Sequence, residues 1–526
     1  MRKLRPLQKH RVTKHFAAGA LFLCLLTGSL FLGAQQLVGL FRMAESGYGD
    51  SYVLYDVFHF QRTGVIYRDL SLPPYLPAQY SPLVYILYSF PARPESANPF
   101  FGPRLVAVGA FLLCVAVVVS IVRALIPVRG VWLWGALLAT SVTCMAPWPL
   151  QLRGDFLGIF FSLLAVRLLL SRFRYAALLA GLCSGLALQF KITLVAAVIT
   201  GCLWLAIRKQ WRALSMFLAA AALTSAGVYF LFWLREPRMI AQMLALRVPI
   251  RDAIGDVRLF LRAMCEPVAL LSVAALPAVL IRRRPRWMLL LLFVVISIVF
   301  SALADLQAGG NINYFFEALL AITPIAVWGA LRLCARSRWN ARRSLVAGVL
   351  LVYVVLLGRG ITKSHSRISP RAVLSENDQF RGVEARLRGL HIFSTVPQMA
   401  LLDREPALME PFLLSYLQQA GRFDPAPILK RVRAGEFDIV ITAGPDFQES
   451  WRGVPEVPPD LKRSIASAYE PYCAVVGAVV NVPRNRPADS VLRAGWRQVG
   501  CVPQGDFHTA KVLPASDSIL APAKAP

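Results

Sequence analysis

The sequence is short of charge, and shortest of acid. Only 16% of its 526 residues are charged, against about 25% in a soluble domain. That excludes a disordered chain, which stays unfolded through low hydrophobicity and high charge. Acidic residues number 29, against 57 Lys and Arg. There are six histidines, and the nine cysteines show no metal-ligand spacing, so no zinc module is encoded. A glycine-rich nucleotide loop of the Walker type is lacking too.

Apolar residues fill the space instead. They make up 56% of the chain, with a mean hydropathy of +0.54. Apolar runs centre on residues 16–41, 103–122, 131–147, 155–171, 175–190, 192–207, 213–233, 263–281, 287–304, 314–331 and 344–358. A crossing helix takes about 20 residues, so the pattern predicts an α-helical polytopic membrane protein with about 11 transmembrane helices. The first run is longer than a signal-peptide core and is expected to be retained as a helix. No lipidation motif is evident.

The net charge of +28 is unevenly spread. Residues 1–358 hold 36 Lys and Arg and 12 Asp and Glu, whereas 359–526 hold 21 and 17. The excess therefore belongs to the membrane half. Positive-inside topology accounts for it, and nucleic acid is not an expected partner. With the N-terminus in the cytoplasm and eleven alternating crossings, the inner segments carry 22 cations and no acid. All 12 acids then fall in outer loops or at outer helix ends. This places the protein in the cytoplasmic (inner) membrane of a cell with the C-terminal part outside.

That part alternates apolar clusters, His391–Val396 and FDIVITAG at 437–444, with helical stretches at Arg381–Leu387, Pro411–Ala420 and Pro427–Ala434. Strand–helix alternation predicts a C-terminal α/β extracytoplasmic domain. The expected organisation is a membrane domain over 1–358 with a long first outer loop at 43–102, an α/β domain over 359–513, and a disordered tail at 514–526. Cys473 and Cys501 are the only cysteines in the outer domain. They are either a disulfide or two free thiols, since spacing alone does not set geometry.

The outer loops hold the candidate chemistry. In the first, Gly47 and Gly49 flank Tyr48 and suit a tight turn presenting Asp50, with Glu45 nearby. A carboxylate there suits a general base. Asp56 and Asp69 read as loop-solvating acids. The aromatic stretch Tyr75–Phe90, which includes Tyr80, suits the headgroup level, with a short interfacial helix from Pro82. The second loop brings Arg153 and Asp155 to the start of the fourth run. Either Asp155 caps that helix and pairs with Arg153, or Arg153 receives an anionic group. Lys191 sits between apolar runs at the outer face, and a phosphate is its natural partner there. The 234–262 loop adds Arg247 and Arg251 among six arginines, beside two amphipathic stretches, 239–246 and 254–261. The last outer loop offers Gly309–Gly310, Asn311, Asn313, Tyr314 and Glu317. Asn side chains donate and accept, which suits sugar hydroxyls or a pyrophosphate. Asn313 also suits a helix cap, and Glu317 a favourable place at a helix N-terminus.

Five pieces in order, the acidic first loop around GYGD, the stretch TGVIYRD followed by YSPLVYIL, then LRGDFLGIFFSLLA, GLALQFKITLVAA and GGNINYFFEALLA, resemble the GT-C superfamily of polytopic glycosyltransferases. They span about residues 16–330, and the resemblance is nearest to bacterial relatives of the protein mannosyltransferases and the aminoarabinose transferase of lipid A. It implies transfer of a sugar from a polyprenyl-phosphate donor to a glycan, lipid or protein acceptor on the outer face. It also implies a first-loop base, which maps onto Asp50 with Glu45 behind it. Lys191 and Arg153 match the donor-phosphate positions, with Arg247 or Arg251 assisting. Asp155, Asn311, Asn313, Tyr80 and Glu317 remain as substrate contacts. The adjacent acidic pair common in that group is absent. A divalent metal near Asp50 and Asp155 is compatible with the residues but not demanded by them. The competing functions are a lipid-linked sugar transporter or flippase and a non-catalytic envelope assembly protein.

Overall fold

The structure is a computed structural model. It describes residues 5–503 apart from 48, 246–252, 283, 307–310, 336–347, 349–350, 353, 357, 359–369, 402–406, 409, 444–449, 452–453, 456, 486–495 and 497.

The helices of the membrane half are α1 (Arg5–Leu40), α2 (Asp50–Thr63), α3 (Pro82–Ser89), α4 (Phe101–Leu125), α5 (Val131–Thr140), α6 (Asp155–Leu169), α7 (Ala176–Phe190), α8 (Ala196–Ile207), α9 (Trp211–Ala222), α10 (Val228–Arg235), α11 (Arg238–Ala245), α12 (Ala253–Met264), α13 (Pro267–Arg282), α14 (Pro285–Asp305) and α15 (Phe316–Ala335). Ten of the eleven apolar runs carry one of them. The eleventh, 344–358, lies mostly outside the described residues. Fewer helices are long and apolar enough to cross a membrane singly. Among the described residues there are five such spans, or six if the bent pair Val131–Thr140 and Thr143–Leu150 counts as one. The remaining runs form α6, α7, α8 and α13, helices of 15, 15, 12 and 16 residues that are too short for that test. The protein is thus a multi-pass membrane protein.

Local chemistry explains the irregularities. α9 and α10 join through a π-helical turn, Leu223–Gly227, into one span of 25 residues. The bend after α5 is held from outside. The Glu266 carboxylate accepts from Thr143 N (3.0 Å), Thr143 Oγ1 (2.8 Å) and Cys144 N (2.8 Å), replacing backbone bonds that a straight helix would make.

The long connection between α1 and α4 is built around α2 and α3. Tyr85 and Tyr88 of α3 are fully buried in the bundle core. Asp56 is also buried, as an ion pair with Arg68, whose guanidinium stacks on Tyr55 at 5.2 Å. This corrects the expectation of a solvated Asp56: α2 is buried all round from Asp50 to Phe58, and Arg68 supplies the charge partner. Asp69 does stay at the surface, bonded to Arg238 at 2.8 Å. Tyr75 is not a headgroup anchor either. It is buried against Phe423 of the C-terminal half, with ring centroids 6.1 Å apart.

That half forms a six-stranded mixed sheet of β1 (Ile392–Ser394), β2 (Ala407–Leu408), β3 (Ile439–Ala443), β6 (Tyr469–Val475), β7 (Ala478–Pro483) and β8 (Val502–Pro503), in the order β2-β1-β3-β7-β6-β8. The hairpin of β4 (Ser450–Trp451) and β5 (Val454–Pro455) stands apart. Alternate residues serve the two faces. Ile392, Ile439 and Ile441 pack with Phe380, Val383 and Leu387 of helix α16 (Pro370–Leu387), and Phe393 and Val440 pack with Leu414, Leu429 and Leu461 on the other side. Cys473 and Cys501 form a disulfide joining β6 to the residue before β8.

The sheet half is fastened beside the first loop. Arg42, just past α1, makes a forked pair with Glu376 of α16 at 2.6 and 2.7 Å. Asn377 accepts from Met43 N at 2.7 Å and donates to Phe41 O at 2.9 Å.

Candidate active site

Acids in and just after the loops that include 43–100, 141–154 and 306–315 collect into two neighbouring clusters. The first is built around Asp50. Gly49 precedes it at φ 94°, a left-handed conformation open to glycine, and turns the chain sharply into α2. Asp50 is 1% exposed. Its Oδ2 accepts from Ser46 N (3.1 Å) and Gly47 N (3.3 Å), and its Oδ1 accepts from Leu152 N (3.0 Å). It therefore ties the loop before α2 to the loop before α6. Burial raises its proton affinity, while Arg104 and Arg153 oppose the rise.

Glu45 is half-buried beside it and accepts from Ser51 N at 2.7 Å. Burial, then the negative Asp50, push its carboxyl up to about 7. Its backbone N–H donates to Gln398 Oε1 of the C-terminal half at 3.2 Å. Arg104, fully buried near the start of α4, donates to the carbonyls of Gly39 (3.3 Å), Arg42 and Ala44 (2.6 Å). It closes the end of α1, whose last carbonyls lack helical partners, and fixes the segment carrying Glu45.

The loop 151–155 links the clusters. Arg153 lies over the Trp148 ring at 4.9 Å, and its carbonyl accepts from Tyr88 Oη at 2.9 Å. Burial lowers its proton affinity, but Tyr80, Asp155 and Asp50 outweigh this, so it stays a cation. An added Cβ at Gly154 would fall on the Phe190 carbonyl oxygen, so this close approach of loop to α7 requires glycine. Tyr80 faces the same group, and burial pushes its phenol up to about 12.

The second cluster centres on Asp155. It does not cap α6: Gly154 holds the cap position and Asp155 is the first helical residue. Its Oδ1 meets Lys191 Nζ and accepts from Asn313 Nδ2 at 2.8 Å. The Lys191 ammonium also sits 4.0 Å from the Tyr314 ring centroid, a cation–π contact. Asn311 caps the turn Ile312–Phe315 through its own side chain, which accepts from Ile312 N at 2.7 Å. The capping task therefore falls to Asn311, which leaves Asn313 for Asp155. Glu317 is buried one turn on. It accepts from Ser162 Oγ of α6 and from Ser297 Oγ of α14 at 2.8 Å, binding three helices together.

The structure thus brings together Asp50, Glu45 and Arg153 on one side and Asp155, Lys191, Asn313 and Glu317 on the other. Arg247 and Arg251 lie outside the described residues, as do Tyr48, Gly309 and Gly310. Among the described residues no group of three His, Cys, Asp or Glu side chains is arranged to hold a metal ion. Arg104, Tyr88, Ser162, Ser297 and Gln398 were missed in the sequence. Arg104 carried a signal, a charge inside an apolar run.

No protein-family model matches the chain, and no curated protein matches it in sequence. Its architecture does have solved counterparts. The apo crystal structure of ArnT from Cupriavidus metallidurans aligns over 88% of this chain and 97% of its own, with TM-score 0.59 and 14% identity. The same protein bound to undecaprenyl phosphate aligns over 87% and 97%, with TM-score 0.56 and 12% identity. An oligosaccharyltransferase from Archaeoglobus fulgidus in its apo form aligns over 89% and 75%, with TM-score 0.48 and 10% identity. The likeness to ArnT shows that the chain has the GT-C fold over most of its length.

Proposed function

We propose that the protein transfers a sugar from a polyprenyl-phosphate donor to an acceptor hydroxyl at the outer face of the cytoplasmic membrane. The observation that carries this is the joining of a carboxylate pair, buried Asp50 and half-buried Glu45, to the cations Arg153 and Lys191, at the loop end of a fold shared with a protein solved bound to undecaprenyl phosphate. The acceptor is an envelope glycan, lipid or protein.

The acid side supplies the base. Each carboxylate oxygen accepts two hydrogen bonds, and Asp50 Oδ1 has one backbone donor, Leu152, so it retains capacity for an acceptor proton. Glu45 stands behind Asp50, whose negative charge adds to burial in raising the Glu45 proton affinity. The cation side receives the leaving group. As the bond to the anomeric carbon breaks, charge grows on the lipid phosphate. Arg153 and Lys191 are fixed by Trp148 and Tyr314 before that charge appears, which is the condition for electrostatic stabilisation without reorganisation. Binding would draw Lys191 from Asp155 towards phosphate, leaving Asp155 to Asn313. Asn313, Asn311 and Tyr80 supply polar contacts for the sugar, and Glu317 sets the helix that follows the Asn313 turn. Arg247 and Arg251 are assigned to the phosphate by sequence position alone.

Purified protein in lipid, offered a panel of polyprenyl-phosphate sugars with envelope extract as acceptor, tests the assignment. Wild type should consume one donor, and Asp50→Asn none. If folded wild type consumes none, the transferase assignment fails. Movement of labelled lipid across vesicles without sugar transfer would put a flippase in its place.

A further inference from the structure

At the opposite end of the bundle lies a second feature that sugar transfer does not use. A cavity of about 1330 Å³ opens where α6 and α8 end and where α7, α9 and α14 begin. α14 alone puts it about 31 Å from the loop end, at 1.5 Å per residue over 21 residues. That is a bilayer's hydrocarbon thickness.

Its lining is one-signed. The α6–α7 connection contributes Arg172 and Arg174, the α8–α9 connection Arg208 and Lys209, the first turn of α9 Arg212, and the start of α14 Arg284 and Arg286. No acidic residue lines it, and among the described residues none of these cations makes an ion pair. Positive-inside topology explains cations at this end but not their convergence on one cavity. The helix termini add to the field. α7, α9 and α14 point their N-termini at the cavity, none has an acid in its first turn, and none has a capping side chain bonded to it. Their first-turn N–H groups and positive dipole ends favour an anion. The rim is aromatic and exposed: Trp211, Phe173 and Tyr175 are 63%, 54% and 45% accessible. Such rings belong at headgroup depth, where one side meets acyl chains.

The geometry points to a binding site for an anionic phospholipid headgroup in the inner leaflet, best filled by a two-phosphate lipid of the cardiolipin type. The shared chemistry is phosphate against clustered guanidinium groups. The aromatic rim selects a lipid over a soluble phosphate. The site requires only that a bilayer surround the apolar helices, and is independent of the transfer reaction.

The test uses the full-length protein in nanodiscs of phosphatidylcholine doped with a minor fraction of cardiolipin. Lipid retained through detergent extraction is counted by mass spectrometry. Wild type should hold cardiolipin. The triple variant Arg208→Gln, Arg212→Gln, Arg284→Gln should bind it roughly 100-fold more weakly, since each cation near an anionic headgroup is worth about fivefold. A variant losing equal charge on the C-terminal half, Arg371→Gln with Arg381→Gln and Arg388→Gln, should bind as wild type does. Thermal unfolding confirms that all three are folded. Equal retention by wild type and the triple variant overturns the site, and so does equal loss in both variants. A parallel arm offers inorganic phosphate in undoped nanodiscs. Tight phosphate binding there, with no preference for cardiolipin, overturns the lipid assignment.

Discussion

Lys191 offers the sharpest division between a structural and a catalytic role. Its side chain is 15% exposed and its ammonium pairs with Asp155, whose side chain is 5% exposed, while resting on Tyr314. Lys191→Met strands a buried carboxylate with one remaining donor, Asn313. Removing one member of such a pair costs about 3–5 kcal/mol, and the lost cation–π contact adds about 0.5–2 kcal/mol. The double change Lys191→Met, Asp155→Asn removes the stranded charge as well. Replacing both members of a buried pair is often close to neutral, so most of the stability should return. Activity should not. If Lys191 stabilises the departing phosphate, its loss lowers donor consumption by about 10²–10³-fold, and Asp155→Asn cannot restore that. The assay is thermal unfolding in nanodiscs alongside donor consumption, for the two single variants and the double. A double variant that regains both stability and full rate would refute the phosphate role and make Lys191 purely a packing cation.

Other expectations follow from the same contacts. Glu45 holds its proton to about pH 7 when folded but gives it up near 4.5 when unfolded. The folded state therefore binds more protons in that window, and stability should fall as pH rises from 4.5 to 7, by on the order of 3 kcal/mol at ~1.4 kcal/mol per pK unit. Glu45→Gln should flatten this fall in denaturation at stepped pH, and shift any inflection in the rate near neutrality. Gly154→Ala should displace the 151–155 loop from Phe190 and weaken the Leu152–Asp50 bond. The expected result is a rate lower by at least ~10²-fold, the cost of about 1 Å of misplacement, with far-ultraviolet circular dichroism unchanged. Reducing the Cys473–Cys501 disulfide, which closes a separation of 28 residues, should cost about 3–4 kcal/mol. The loss should appear as a lower unfolding temperature that Cys473→Ser reproduces. Glu376→Gln should loosen α16 from Arg42 and increase protease cleavage between the two halves, by about the 1.5–3 kcal/mol of a charged hydrogen bond.

Hydrophobic runs were enough to locate the helices, because an apolar helix in lipid satisfies its backbone internally wherever its neighbours lie. Local turn chemistry was equally legible: the glycines before Asp50, the Pro82 start of α3 and the strand at 439–443 are short-range properties. The number of crossings was not. α5 bends because Glu266, more than a hundred residues away, holds its end, and a hydropathy run cannot show that. Partners were hidden for the same reason. Lys191 had the look of a cation awaiting phosphate, but Asp155 and Tyr314 meet it across the bundle. Asp56 had the look of a solvated acid until Arg68 covered it, and Glu317 that of a helix-end charge until Ser162 and Ser297 closed on it. Periodicity says which face of a helix is apolar; which charges neutralise one another depends on how separate helices pack. That is why the fold type was readable from order and composition, whereas the electrostatics of the site belong to the tertiary structure.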